Sequence, residues 1–353
     1  MIWLDTAATG RDNNLNLIRM VAATAVLVSH AWPQTYGVGV IEPMERLTHH
    51  SLGRLSVYVF FAISGFLVAA SFTRSATLTR FVAARALRLV PGLLVSLLLV
   101  SFVLGPVATR LPLADYLAAR GTWTAVLQNI TLFSPQFRLP GVFNDNPFPT
   151  VQGSIWTLIH EVLCYVMVFL AGIAGAFRTT RRFWVFLAVY AALWTASLMA
   201  PVAINPRAIL LRDLSLPFVY GMAAWVWRDR LPLMLWGVAA LGLAAAALRD
   251  TALAYPVLAA FLFYGTFWLA YVPGGILRAY NRLGDYSYGM YIYAFPLQGL
   301  VVWLWHPATP LTHIVLALPL TLVAAVLSWH LVERPALGWL KRLPSQTIAP
   351  LRP

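Results

Sequence analysis

Arg19 and His30 stand eleven residues apart inside the first long apolar stretch, Leu15 to Pro33. On an α-helix, eleven steps return to within about 20° of the starting face and climb about 16 Å, which places both side chains on one face three turns apart. Ionisable groups are costly in hydrocarbon, so such a pair faces a bundle interior or a watery cavity. An imidazole takes a proton from a hydroxyl near neutral pH, and a guanidinium fork suits phosphate. A histidine that packs between helices and bonds a neighbouring carbonyl is the plain alternative for position 30. Arg85 and Arg88 form a second set of forks, and their i,i+3 spacing puts them on one helix face. A cationic helix end produced by membrane topology alone would look the same. Glu161 lies about five residues inside another apolar stretch, at a depth expected to match that of His30. A carboxylate there would hold the imidazole tautomer and stabilise the imidazolium; a structural counter-ion for an arginine is the alternative. His160, about 100° round the helix from Glu161, reads as an interfacial residue.

The elements that must carry these groups are helices in a bilayer. With 60% hydrophobic and 10% charged residues over 353 positions, and a mean hydropathy of +0.73, the chain holds more apolar surface than a soluble domain of this length can bury. The expected fold is all-α, a polytopic bundle of about ten transmembrane helices, at 15–33, 56–73, 85–107, 155–176, 183–200, 209–227, 233–248, 253–272, 287–305 and 312–332. The first is read as a retained helix, because residues 1–14 lack the basic region and cleavage site of a signal peptide. Cys164, the single cysteine, excludes an internal disulfide framework and offers no metal-site spacing, so no metal is expected.

A net charge of +13 would suggest nucleic acid in a soluble protein, but here its distribution is a topology signal. With a cytoplasmic N-terminus and ten alternating spans, 17 of the 25 basic residues fall inside, among them Arg11, Arg74, Arg80, Lys341, Arg342 and Arg352. Both termini are then cytoplasmic. No nucleic-acid partner is expected. Residues 108–154, rich in Pro, Gly and Asn, read as a long external loop after a short helix near 113–128. It is equally suited to contacting an acceptor and to a structural Ω-loop.

The runs NNLNLIRMVAATAVLVSHAWP, VYVFFAISGFLVAASFTR, FVAARALRLVPGLL, GSIWTLIHEVLCY, LGDYSYGMYIYAFPLQ and SWHLVERPAL resemble, in order and spacing, the membrane acyltransferase 3 family. The match covers about residues 13–335. The resemblance implies a single transmembrane acyltransferase domain over 1–353 with a short cytoplasmic tail, 336–353. It also implies O-acylation, most often O-acetylation, of an extracytoplasmic glycan or glycolipid such as lipopolysaccharide or exopolysaccharide. The donor would be a cytoplasmic acyl-CoA, chiefly acetyl-CoA, as substrate rather than as a permanently bound cofactor, and the setting a bacterial inner membrane.

Under that resemblance His30 matches the family's catalytic histidine and Glu161 its acidic partner, flanked by Trp156 and Tyr165. Arg85 and Arg88 match a donor-binding motif, with Arg19 at similar depth. Ser64 and Gly65 fall in the SGF segment, where small residues let helices or a pantetheine arm approach closely. Glu333, in VERP, is placed to pair with Arg85 or Arg88, or simply with Arg334. Tyr286, Tyr288, Tyr291 and Tyr293 read mostly as interfacial or packing residues. Two positions depart from the usual pattern: Asn16 stands where the family commonly has Asp, and Val162 where many members carry a second acid. The residues alone also suit a transporter of a glycan or lipid, in which His30, Glu161 and Arg19 form a proton path, or an acyltransferase with a non-carbohydrate acceptor.

Overall fold

A computed structural model describes residues 2–10, 12–199 and 205–342, the last two without their side chains. Arg11, Arg352, the end of the fifth expected span at 200 and the tail beyond 342 lie outside the described residues, as do the side chains of Lys341 and Arg342. We label ten helices in chain order: α1 Leu15–Tyr36, α2 Leu52–Arg74, α3 Leu78–Ala108, α4 Gly153–Ile173, α5 Thr180–Met199, α6 Pro206–Val226, α7 Leu235–Ala247, α8 Ala254–Tyr271, α9 Ser287–Trp305 and α10 Pro310–Gly338.

Among the described residues, eight of these are long and apolar enough to cross a bilayer. The protein is thus a polytopic helical membrane protein. The other two correspond to expected spans but differ in kind. α7 has 13 residues, about 20 Å of helix, short of the roughly 30 Å hydrocarbon core. α9 has 19 residues but carries Ser287, three tyrosines and Gln298, tolerable because it is enclosed by other helices. α9 packs against α1 and α10, and Gln298 Nε2 donates to Leu27 O of α1 at 2.9 Å, which satisfies a polar group far from water.

The helix starts follow local chemistry. Ser51 caps α2 by accepting from Arg54 N, Thr77 caps α3 through Arg80 N, and Thr309 with Thr312 forms a capping box on α10. Asn14, just ahead of α1, donates its side-chain amide to Leu269 O and Pro273 O, both at 2.9 Å, which ties the entry of α1 to the end of α8. A two-residue antiparallel pairing of Ile2–Trp3 with Pro232–Leu233 anchors the N-terminal segment.

α2 and α6 approach backbone to backbone, and they do so through glycines. A Cβ on Gly65 would overlap the Phe218 carbonyl, and one on Gly221 would overlap that of Ala62. Without a hydrophobic drive between helices in lipid, this backbone approach is what gains dispersion energy. Gly65→Ala is therefore expected to force the pair apart at a cost of about 1–3 kcal/mol or more, read as a lower Tm of the detergent-solubilised protein. An unchanged Tm would show that the two helices are free to separate.

Residues 109–152 fold back over the end of the bundle opposite Asn14, which we call the cap; the end carrying Asn13, Asp285 and Leu337 is the base. Short helices Leu113–Ala118 and Arg120–Thr131 replace the single one expected. Phe143 is buried against Gly299, and Asn146 Nδ2 donates to Gly299 O at 2.9 Å. This packing carries the start of α4 into the bundle. Gly153 abuts the Phe295 ring, and Thr157 lies at hydrogen-bond distance, 2.5 Å, from the Tyr291 hydroxyl.

Candidate active site

The base half of the bundle encloses a cavity of about 690 Å³, within the usual range of small-molecule sites. Its charged lining comes from elements far apart in sequence: Arg19 of α1, Arg85 and Arg88 of α3, Glu161 of α4, and Asp285 just ahead of α9. Ser64 of α2 and Tyr165 of α4 complete the polar wall. Asp285 is the junction of this set. Its Oδ2 accepts from Arg19 Nη1 and, at 2.6 Å, from Arg88 Nη2, while Oδ1 accepts from Ser287 Oγ at 2.5 Å. Burial alone would raise the Asp285 carboxyl; the two guanidiniums outweigh it and hold it at about 2, so it is charged at any physiological pH.

Arg88 reaches a second carboxylate. Its Nη1 lies 3.8 Å from Glu333 Oε2, and Glu333 Oε1 accepts from Ser328 Oγ at 2.8 Å. Glu333, on α10, thus faces Arg88 from behind the cavity wall. Below Arg88 lies the ring of Tyr288, whose hydroxyl donates to Leu89 O. Arg85 differs. Among the described residues it joins no ion pair, its buried Nε has no hydrogen-bond partner, and its guanidinium lies 5.7 Å from the Tyr165 ring centroid. An unsatisfied guanidinium donor at a cavity wall asks for an acceptor.

Glu161 is where the sequence expectation needs correction. Its Oε1 accepts from Tyr165 Oη at 2.5 Å and Ser64 Oγ at 3.1 Å; it forms no hydrogen bond with His30. The reason is depth. A Cβ on Gly53 would lie 2.9 Å from Ser29 Oγ, which sets the antiparallel register of α1 and α2. Ser64 follows Gly53 by eleven residues, about 16 Å further towards the base. Because the cap sinks the start of α4, Glu161 arrives at the level of Arg19 rather than that of His30.

His30 lies above the cavity, outside its lining. The imidazole faces inward, in edge contact with the Phe295 ring of α9 with centroids 5.0 Å apart, and its buried Nδ1 has no partner among the described residues. Phe60 and Tyr291, in edge contact at 6.0 Å, line the cavity together with Thr157, which lies beside the tyrosine hydroxyl. Gly65 serves α2–α6 packing, while its neighbour Ser64 faces the cavity. Tyr288 and Tyr291 are buried cavity residues rather than interfacial ones. His160 is likewise buried: its Nδ1 is 3.0 Å from Trp156 O and its Nε2 3.2 Å from Arg207 O.

Asp285 was not singled out by the sequence reading. The available signal was scarcity: with 12 acidic residues in 353, one placed against the start of an apolar span, in LGDYSYG, is a candidate partner for span arginines.

Fold and cavity together define a multi-pass membrane protein with an arginine-lined internal chamber suited to an anionic ligand. The chain belongs to the acyltransferase 3 family: the family model, described as an acyltransferase domain, matches residues 12–330. It is an acyltransferase. A protein of Shigella phage Sf6 named O-acetyl transferase is 28% identical, with 92% of this chain and 96% of that protein covered. Nodulation protein 10 of Rhizobium leguminosarum bv. viciae is 24% identical, with 94% of each covered. No solved structure gives a significant match.

Proposed function

We propose that the protein is an O-acetyltransferase of a bacterial inner membrane, with its base towards the cytoplasm, moving an acetyl group from acetyl-CoA to a hydroxyl of an extracytoplasmic glycan. The observation that carries this reading is the convergence of Arg19, Arg85 and Arg88 on one cavity beneath His30, which shares α1 with Arg19. The name of the phage relative, O-acetyl transferase, supports the acyl group. The excess of basic residues on the base side supports the orientation.

In this scheme the arginines hold the phosphates of the donor at the base, and the pantetheine arm rises along α1. His30 takes the proton of the acceptor hydroxyl; the oxygen attacks the thioester carbonyl, the C–S bond breaks, and the coenzyme A thiolate leaves and is protonated. The spacing of Arg19 and His30 along α1, about 16 Å, is of the order such an arm spans. Phe60, Thr157 and Tyr291 line the cavity along this route. Glu161, at the level of the arginines, holds Tyr165 and Ser64 along the arm rather than orienting the imidazole.

Labelled acetyl-CoA, purified protein and lipopolysaccharide or exopolysaccharide are expected to give a glycan acetyl ester together with free coenzyme A. Mass analysis of the surface glycan from cells with and without the gene checks the acceptor. Label appearing on a lipid or peptide instead would overturn the glycan assignment. No label transfer to any acceptor, with glycan crossing vesicles unmodified, would overturn the whole reading.

A further inference from the structure

Asp285 enters the site by a backbone device that only glycine supplies. Gly284 sits at φ +130°, and a Cβ there would run into the Trp329 indole. The turn presents the next carboxylate to the cavity, just before α9 begins. Two like-charged guanidiniums, from helices remote in sequence, then meet on a single oxygen, Oδ2. The other oxygen is held by Ser287, which leaves the carboxylate little freedom to rotate. Each guanidinium carries five N–H donors in a planar fork. Asp285 engages Nη1 of Arg19 and Nη2 of Arg88, so both forks are fixed in orientation with donors left over.

We infer that Asp285 is the positioning residue of the donor site, locking Arg19 and Arg88 into one rigid phosphate-binding unit. This rests on the reading of the arginines as the donor clamp. Its physical content is pre-organisation: long, rotamer-rich side chains that are already ordered lose little further entropy when an anion binds. A fixed fork also matches phosphate geometry better than two mobile cations.

A different role for the same carboxylate makes the opposite prediction. Were Asp285 only a counter-charge, removing it would add one net positive charge to the cavity and tighten the binding of a polyanion. Were it only structural, folded Asp285→Asn protein would bind the donor as the unaltered protein does.

The test uses the full chain in detergent, with coenzyme A as the probe, titrated calorimetrically. Asp285→Asn is expected to weaken coenzyme A binding about tenfold or more. In turnover, KM for acetyl-CoA is expected to rise by a similar factor while kcat changes by less than about threefold. Asp285→Glu, which keeps the charge, is expected to recover part of the loss. Equal or tighter binding by Asp285→Asn overturns the inference. If that variant cannot be recovered folded, Ser287→Ala decides: weakening of about threefold supports the positioning role, and unchanged or tighter binding overturns it. Failure of the unaltered protein itself to bind coenzyme A would instead overturn the donor reading of the arginines.

Discussion

His30→Ala is expected to lower the rate of acetyl transfer by about 10²- to 10⁴-fold while leaving coenzyme A binding unchanged. The separation of these two readouts follows from position. The imidazole lies outside the arginine-lined cavity, so its removal does not touch Arg19, Arg85 or Arg88. It does remove a buried ring nitrogen, Nδ1, that no group among the described residues satisfies, and a buried polar atom of this kind is costly to keep. The packing lost is an edge contact to Phe295, so the Tm of the variant is expected to fall only modestly. Label transfer from acetyl-CoA, calorimetry with coenzyme A and a thermal melt make the comparison on one preparation. Retention of more than about a tenth of the activity would remove His30 from the base role.

The membrane architecture was legible because hydropathy reports it directly. α9, expected at 287–305, has those bounds in the structure, while α3 begins earlier than expected, at the turn capped by Thr77, and α10 runs on through a π-helical turn into Arg334–Gly338. α7 shows the limit of that signal, since an apolar run does not state whether its helix reaches across the bilayer. Within the site, Arg19, Arg85 and Arg88 were legible for the same reason as the spans: charge inside hydrocarbon must converge on something. The bonding of Glu161 to Tyr165 and Ser64 instead of His30 was not. The depth of Glu161 is set by Phe143, Asn146 and Gly153, which pack the cap onto α9 and draw the start of α4 inward. That is tertiary packing of a Pro- and Gly-rich loop, and no periodicity in α4 encodes it. Asp285 was missed for a related reason. It lies just outside a span, where an acid reads as a loop residue, and its partner on α1 is 266 positions away.

The same network sets a contrast between two arginines one helical turn apart on α3. Arg88 stands between Asp285 and Glu333, with side chains only 14%, 10% and 2% exposed respectively. Arg88→Ala strips Glu333 of this cation and leaves Asp285 to Arg19 alone. Breaking a buried pair by removing one partner costs about 3–5 kcal/mol, because the remaining charge is left without compensation. Arg88→Ala is therefore expected to lose both thermal stability and coenzyme A binding. Arg85→Ala leaves no carboxylate behind, so binding is expected to fall with little change in Tm. The origin of the Arg88 penalty can be checked by a double variant: Arg88→Ala with Glu333→Gln removes the stranded charge and is expected to melt above Arg88→Ala alone. Coenzyme A binding is not expected to return with it, since neutralising Glu333 restores the buried balance but not the fork. If Glu333→Gln only adds to the loss of stability, the Arg88–Glu333 contact at 3.8 Å is not the pairing that stabilises this end of the bundle.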